Sequence, residues 1–329
     1  MLDITENSIR KQLKTKVFGQ KILYKEEIDS TNTEAKRQAF EDNHGLLVIA
    51  EEQSLGKGRR GRSWNSPKGT GIWMSLLLQP KKVLVQSAKE PFTSEFIEIK
   101  EELQQANKVL TAEKASMLTL ITALSVAEAI REETNLEALI KWPNDIVING
   151  RKVCGILTEM STDNEGIRYV IIGIGINVNT TEFPEEIREI ATSLWLEQKK
   201  AGTAGPNQWD IGKSKMLTQI EKGLNNKKKE NDTALVDRAS LVALILKKLE
   251  LYYEQFLEEE DLGFLLEAYN KKLVNFGKEV KILGCNGQEE NSGTAKGINK
   301  EGALLVETEE GLFEVRSGEV SVRGLYGYV

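Results

Sequence analysis

The sequence predicts an α+β protein, a body of strands and helices followed by a small β-barrel, and three observations carry that prediction. Short apolar runs bounded by turn residues recur at 22–28, 46–50, 72–78, 139–142, 146–148, 153–160 and 169–176, which reads as strands. Longer runs with apolar residues at helical spacing cover 116–133 and 240–258, with a shorter one near 262–271. Beyond residue 272 the pattern changes to strand-like segments at 279–283, 293–298, 303–308, 312–315 and 319–323, separated by Gly-containing turns, as in a small barrel.

In chain order, the first strand runs into Asp29-Ser30-Thr31-Asn32, where Thr31 and Glu34 match an S/T-x-x-E capping box and open a helix. The strand at 46–50 leads to a Gly- and Arg-rich loop at 56–64, and the strand at 72–78 follows it. Residues 81–115 are polar without the turn chemistry of a short link, and they read as an insertion. Leu120, Leu124 and Ala127 mark the buried stripe of the helix at 116–133. Pro143 breaks the next two strands apart, and Asn149-Gly150 is a strong hairpin turn. A further turn at 163–166 joins the strands at 153–160 and 169–176. Residues 198–234, with Gly202, Gly205, Pro206 and the run Lys227-Lys228-Lys229, read as a second insertion, the lysines as solvated loop.

With 329 residues the chain has room for one large domain or two unequal ones, and we divide it into residues 1–272 and 273–329. Hydrophobic residues make up 40% and charged residues 29%, which fits a globular protein with a core and argues against disorder. No run of about 18 apolar residues occurs, and the opening MLDITENSIRKQLK lacks the apolar centre of an export signal, so a cytoplasmic protein with no membrane partner is expected. The two cysteines, Cys154 and Cys285, form no CxxC pair and read as structural thiols. A net charge of −6 gives no bulk attraction to nucleic acid or anionic membrane. Against that background the knot Lys57, Arg59, Arg60 and Arg62 suggests a small anionic ligand. The single histidine, His44, excludes Ser-His-Asp triads and metal sites needing several imidazoles; between Asp42-Asn43 and Gly45 it reads as a surface turn.

Three constellations carry chemistry. In Gly56-Lys57-Gly58-Arg59-Arg60-Gly61-Arg62-Ser63-Trp64, glycines let the backbone approach a ligand and the cations supply charge for carboxylate and phosphate. It is not a P-loop, since no GxxxxGK[ST] is present. In Lys141-Trp142-Pro143-Asn144-Asp145, the proline turns Asn144 and Asp145 outward, and the Asn149-Gly150 hairpin brings Lys152 back beside them. Gly173-Ile174-Gly175-Ile176-Asn177 lacks the third glycine and the helix of a dinucleotide loop; it reads as a strand whose small residues admit a ligand or backbone.

Together, and in this order, the Asp29-Ser30-Thr31-Asn32 segment, Glu52-Gln53, GKGRRGRSW, KWPNDI, RKVCGIL and GIGINVN resemble the biotin–protein ligase family, over about residues 20–196 and more loosely in the barrel. The resemblance implies a mixed β-sheet backed by helices, like the catalytic domains of class II aminoacyl-tRNA synthetases, and a C-terminal SH3-like barrel. It implies ATP-dependent formation of biotinyl-5′-AMP, with Mg²⁺ on the ATP phosphates and no protein metal site, then transfer of biotin to a lysine of the biotin carboxyl carrier protein of a biotin-dependent carboxylase. Lipoate–protein ligase is the alternative of the same chemistry. Carried over by position, Ser30, Thr31, Asn32, Gln53, Lys57, Gly58, Arg59, Lys152, Gly155 and Leu157 would bind biotin. Arg59, Arg62, Lys141, Asn144 and Asn177 would hold ATP, and Arg59 and Lys152 would be catalytic; the place of Asp145 in KWPND beside Lys141 adds it as a third catalytic candidate, orienting or deprotonating the acceptor amine. Lys57 stands where many relatives have arginine, and Tyr269 where some have tryptophan. The resemblance also allows a homodimer. The segment ahead of Ser30 is too short for the DNA-binding domain of the repressor members, so no DNA partner is expected.

Overall fold

The computed structural model describes residues 4–80, 110–163, 166–203, 234–283, 289–316 and 321–324. Most of the two predicted insertions, the lysine run at 227–229 and Cys285 lie outside the described residues. The described margins of the insertions are helical: residues 112–115 begin the helix Ala112–Thr134, and residues 198–203 end the helix Leu194–Thr203.

Seven strands form one sheet: β1 (Ile22–Ile28), β2 (Leu46–Gln53), β3 (Gly71–Leu78), β4 (Leu139–Lys141), β5 (Asp145–Ile148), β6 (Arg151–Asp163) and β7 (Gly166–Asn177). Their order is β1-β2-β3-β7-β6-β5-β4, with β1 and β2 parallel and the other pairs antiparallel. The helices are α1 (Glu6–Arg10), α2 (Thr31–Gln38), α3 (Ala112–Thr134), α4 (Leu194–Thr203), α5 (Arg238–Glu259) and α6 (Leu266–Lys272). Strands β8 (Glu279–Leu283), β9 (Glu289–Ile298), β10 (Leu304–Thr308), β11 (Gly311–Val315) and β12 (Ser321–Gly324) make the second, antiparallel sheet, in the order β11-β10-β9-β8-β12. The SH3-like barrel expected after the catalytic body is this sheet.

Alternation along the strands decides what each sheet face does. Leu47 and Ile49 of β2, Ile72, Met74 and Leu76 of β3, Cys154 and Ile156 of β6, and Ile172, Ile174 and Ile176 of β7 face one way and enter the main core with α3 and α5. The residues between them point to the opposite face, where α2 packs through Ala35 and Ala39 on Leu46, Val48, Leu77 and Ile171. Beside α2 that second face carries Ser75, Gly155, Leu157, Glu159, Gly173 and Gly175, small or polar residues that leave it hollow. The hollow is the candidate site.

Several contacts fix the frame around it. Arg238 at the start of α5 donates to both carboxylate oxygens of Glu51 at 2.8 and 3.0 Å, and Glu51 also accepts from the backbone N–H groups of Ile4 and Gly69 at 3.2 and 3.1 Å. The barrel reaches the body through Trp142, whose indole N–H donates to the Gly302 carbonyl at 3.2 Å in a buried contact. Tyr269, at the junction, is fully buried.

Two sequence expectations are corrected here. The Thr31–Glu34 capping box does not form: Ser30 is the N-cap without a side-chain bond, and both the N–H and the hydroxyl of Thr31 donate instead to Gln53 Oε1, at 2.8 and 3.1 Å. Glu34 accepts from Gln38 and pairs with Arg37. His44 lies in the expected turn but is half-buried rather than at the surface; its Nδ1 accepts the Gln79 N–H at 2.9 Å, and burial lowers its pKa to about 4.

Candidate active site

The site is built from four elements brought over the hollow face: the N-terminus of α2, the end of β2, the loop after β2, and the β5–β6 hairpin. A groove of about 440 Å³ lies among them, lined by Ser30, Thr31, Asn32, Gln53, Lys57, Gly58, Arg59, Trp64, Asn144, Lys152, Gly155 and Leu157, with Gly173 and Gly175 in its floor. Every residue that the resemblance assigns to biotin lines this groove.

Its floor is glycine for a steric reason. A Cβ at Gly173 would fall 2.1 Å from Asn32 Oδ1, and one at Gly175 would fall 2.6 Å from Trp64 Nε1. Asn32 and Trp64 thus lie directly on the sheet backbone. Trp64 also packs edge-on to Trp73 at 6.5 Å between ring centroids, and the Lys152 ammonium stands over its ring at 5.2 Å.

The basic loop closes on itself. Trp64 N–H donates to the Gly56 carbonyl at 2.8 Å and Gly58 N–H to the Arg62 carbonyl at 2.7 Å, around a single 3-10 turn at Arg59–Gly61. The turn puts Arg60 at φ 56° and Gly61 at φ 71°, both left-handed. As a result Arg59 points inward while Arg60 and Arg62 are exposed. Arg62 lines a wider trough of about 1270 Å³ beneath the loop, which shares Gln53, Lys57, Gly58, Trp64 and Leu157 with the inner groove. Lys57 reaches back to α2, donating to Thr33 Oγ1 at 2.9 Å.

A chain of polar contacts joins the two cationic sides of the groove. Arg59 Nη1 donates to Asn144 Oδ1 at 2.7 Å, Asn144 Nδ2 donates to Asp145 Oδ1 at 3.0 Å and to the Ile156 carbonyl at 3.1 Å, and Asp145 Oδ1 pairs with Lys152 Nζ at 2.6 Å. Burial lowers the Arg59 pKa, and the Asp145 charge opposes that shift. The hairpin register places Lys152 opposite Val147 and Gly155 opposite Asp145, which is why one turn at Asn149-Gly150 suffices to align the pair. Lys152 is clamped from behind: its N–H donates to Ile190 O at 2.7 Å, and its carbonyl accepts from Thr192 N–H at 2.8 Å. The buried Glu197 of α4 ties the same strap to the hairpin, accepting from Thr192 Oγ1 at 2.5 Å and Asn149 Nδ2 at 2.6 Å and pairing with Arg151.

Lys141 and Asn177 lie apart from the groove lining. Lys141 is buried in β4. Asn177, buried at the end of β7, donates from Nδ2 to the Thr192 carbonyl at 3.1 Å, and so it braces the strap that holds Lys152. Ser66, Ser75 and Glu159 belong to the site although the sequence reading missed them. Ser75 donates to Asn32 Oδ1 at 2.6 Å, Ser66 accepts from Gln53 Nε2 at 2.8 Å, and Glu159 accepts from Asn32 Nδ2 at 2.8 Å. A serine in an otherwise apolar buried strand, and a carboxylate in β6 in phase with Gly155 and Leu157, were the available signals.

For a divalent metal the donor set does not fit: among the described residues no group of three or more His, Cys, Asp or Glu side chains is placed to hold an ion, and Asp145, the carboxylate tied to Lys152, is already shared with Asn144. The arrangement suits an anionic ligand pair instead. Three cations, Lys57, Arg59 and Lys152, line one groove, which also carries fixed donors and acceptors around Thr31, Asn32 and Gln53.

The chain is similar to known proteins over most of its length. Residues 24–177 match the biotin/lipoate A/B protein ligase family, and residues 276–323 match the biotin protein ligase C-terminal domain. The chain is 33% identical over 324 residues to the bifunctional ligase/repressor BirA of Bacillus subtilis, spanning 97% of this chain and 79% of that protein. It is 34% identical over 152 residues to the biotin–[acetyl-CoA-carboxylase] ligase of Paracoccus denitrificans, spanning 46% of this chain and 51% of that one. It also superposes on the biotin protein ligase from Aquifex aeolicus in complex with biotin and ATP, with a TM-score of 0.66 and 28% identity, covering 93% of this chain and 99% of the other.

Proposed function

The chain belongs to the biotin/lipoate A/B protein ligase family, among its biotin–protein ligases, and from that membership we propose that it joins biotin to ATP as biotinyl-5′-AMP and passes the biotinyl group to a lysine of a biotin carboxyl carrier protein. The observation that carries the proposal is the placement of Arg59 and Lys152 on one groove, linked through Asn144 and Asp145, above a polar recess. The relatives' names and the solved complex with biotin and ATP favour biotin over lipoate.

In the first half-reaction a biotin carboxylate oxygen attacks the α-phosphorus of ATP, and the bond to pyrophosphate breaks. A carboxylate is already ionised at neutral pH, so no base is needed, consistent with a chain holding one histidine remote from the groove. The obstacle is the approach of two anions. Arg59 and Lys152 lower it by meeting the charge that builds on the phosphoryl oxygens; the loss of one such group typically costs about 10²–10³ in rate. Mg²⁺ brought in with ATP would supply further charge neutralisation, and no residue of this chain is assigned to hold it.

In the second half-reaction a neutral lysine amine attacks the acyl carbon and AMP leaves. Asp145 pairs with Lys152 at 2.6 Å, and through that pair it serves first to aim the ammonium. Its action on the acceptor amine is tested by transfer from preformed adenylate in Asp145→Asn. We assign the reaction to residues 1–272 and treat 273–329 as a brace acting through Trp142.

The direct test mixes the protein with biotin, Mg-ATP and a biotin carboxyl carrier domain and follows the carrier by mass spectrometry, with native mass reading whether two copies pair. A mass gain of one biotinyl group, dependent on ATP, is expected. An unmodified carrier, in an assay where an established biotin ligase modifies it, would overturn the proposal.

A further inference from the structure

One cluster beside the groove is not used by the reaction steps above, and its geometry bears on which ring the site accepts, given that the site binds biotin. Asn32, 4% exposed, lies with its carboxamide against the backbone of Gly173. Its Oδ1 accepts from Ser75 Oγ at 2.6 Å, and its Nδ2 donates to Glu159 Oε2 at 2.8 Å and to the Leu157 carbonyl at 3.3 Å. A primary amide offers two N–H donors and two acceptor lone pairs. Both donors here face groups that can only accept, so what is left for a ligand is one Oδ1 lone pair. Turning the amide over would set Oδ1 against a carboxylate and a carbonyl, so the orientation is determined by the partners.

Glu159 is itself held in place. Lys36 Nζ lies 2.6 Å from its Oε1, so the carboxylate presents Oε2 to Asn32. Burial raises the Glu159 pKa, but hydrogen bonds from Lys36 and Asn32 outweigh it and bring it below the usual carboxylate range, leaving the group ionised and acceptor-only at neutral pH. Gln53 is oriented by the same logic on the other side: its Nε2 is taken by Ser66, and its Oε1 accepts from Thr31.

We propose that Glu159 is a positioning residue for specificity: through Asn32 it fixes the recess as a hydrogen-bond acceptor, so that the site reads ring N–H groups and rejects a ring carrying oxygen in their place. An oxygen in that position meets the Asn32 carbonyl oxygen, acceptor against acceptor, and the amide cannot turn to relieve it while Glu159 holds Nδ2.

The test measures by calorimetry the dissociation constants of biotin, of dethiobiotin (ring N–H groups kept, sulfur absent) and of the cyclic carbonate analogue (ring N–H groups replaced by oxygen). The proteins are wild type, Glu159→Gln and Glu159→Ala. In Glu159→Gln the Lys36 ammonium draws the new amide oxygen, which leaves an N–H toward Asn32 and frees its amide to turn. Glu159→Gln keeps the shape of the side chain and carries the test should the alanine variant fold poorly. Biotin binding is expected to weaken about tenfold in the variants, the scale of one lost hydrogen bond to a charged group, and discrimination against the carbonate is expected to shrink by about tenfold. The biotin-to-dethiobiotin ratio is expected to stay constant, since a general loss of structure weakens all three ligands together. Unchanged carbonate discrimination in the variants would overturn the assignment. Failure of the wild type to bind biotin would instead overturn the functional reading on which it rests.

Discussion

Replacing Gly173 by alanine puts one methyl group where the structure has no space for it. The new Cβ would stand 2.1 Å from Asn32 Oδ1, 2.8 Å from its Cγ and 2.9 Å from its Nδ2. The obstruction is the carboxamide itself on a side chain already packed against a strand, so Asn32 must leave its site. It then loses the neutral bond to Ser75 and the charge-assisted bond to Glu159, 2.6 and 2.8 Å in the native arrangement. At about 1 kcal/mol for the first and about 1.5–3 kcal/mol for the second, the biotin-competent arrangement is destabilised by roughly 3 kcal/mol, or about two decades in affinity. Calorimetric titration of Gly173→Ala with biotin measures this directly. A double-mutant cycle with Asn32→Ala adds a second reading: with the carboxamide gone the added methyl is accommodated, so the two substitutions should be strongly non-additive. Biotin affinity within about threefold of wild type in Gly173→Ala, or simple additivity in the cycle, would refute the packing argument.

Arg238→Met removes one partner of an ion pair whose side chains are 1% and 5% exposed, leaving Glu51 buried with its charge unmatched; a loss of about 3–5 kcal/mol in unfolding free energy is expected from denaturant titration. His44 is held neutral, its pKa falling from 6.5 to about 4, so the stability it contributes is full above 6.5 and lost as pH falls toward 4. His44→Gln should therefore flatten the decline of melting temperature between those two pH values, and an unchanged slope would count against the assignment. Trp142→Phe deletes the donor to the Gly302 carbonyl at the body–barrel contact; a cost of about 1–3 kcal/mol is expected, read as faster amide exchange in β9 and β10.

Periodicity made most of the sheet readable in the sequence. Strands such as β2 and β3 stand out because aliphatic residues fill most of their length between turn residues, and the structure extends the strands read at 153–160 and 169–176 to Arg151–Asp163 and Gly166–Asn177. The misreadings fall where tertiary contacts took over a local group. Thr31 resembles a helix cap, but its N–H and hydroxyl are drawn to Gln53, a residue far away in sequence. The helix Leu194–Thr203 begins in a stretch without a long apolar stripe and is held by Glu197, whose partners Asn149 and Arg151 come from a distant hairpin. Groove-lining residues within motifs, such as Arg59 and Lys152, stand out in the sequence because glycine, proline and charge cluster around them. Ser75 and Glu159 carry only faint signals, and their relation to Asn32 emerges only when the pairing of β3, β7 and β6 sets both on the face beneath it.

The central claim is that Arg59 and Lys152 act together to let a carboxylate and a phosphate meet. It is tested most directly by the single-turnover rate of biotinyl-5′-AMP formation in Lys152→Met at saturating biotin and Mg-ATP. The substitution keeps the length of the stem over Trp64 and removes only the charge that Asp145 aims. A fall in rate of about 10²–10³, with biotin binding weakened far less, is predicted. Adenylate formation at the wild-type rate would contradict it.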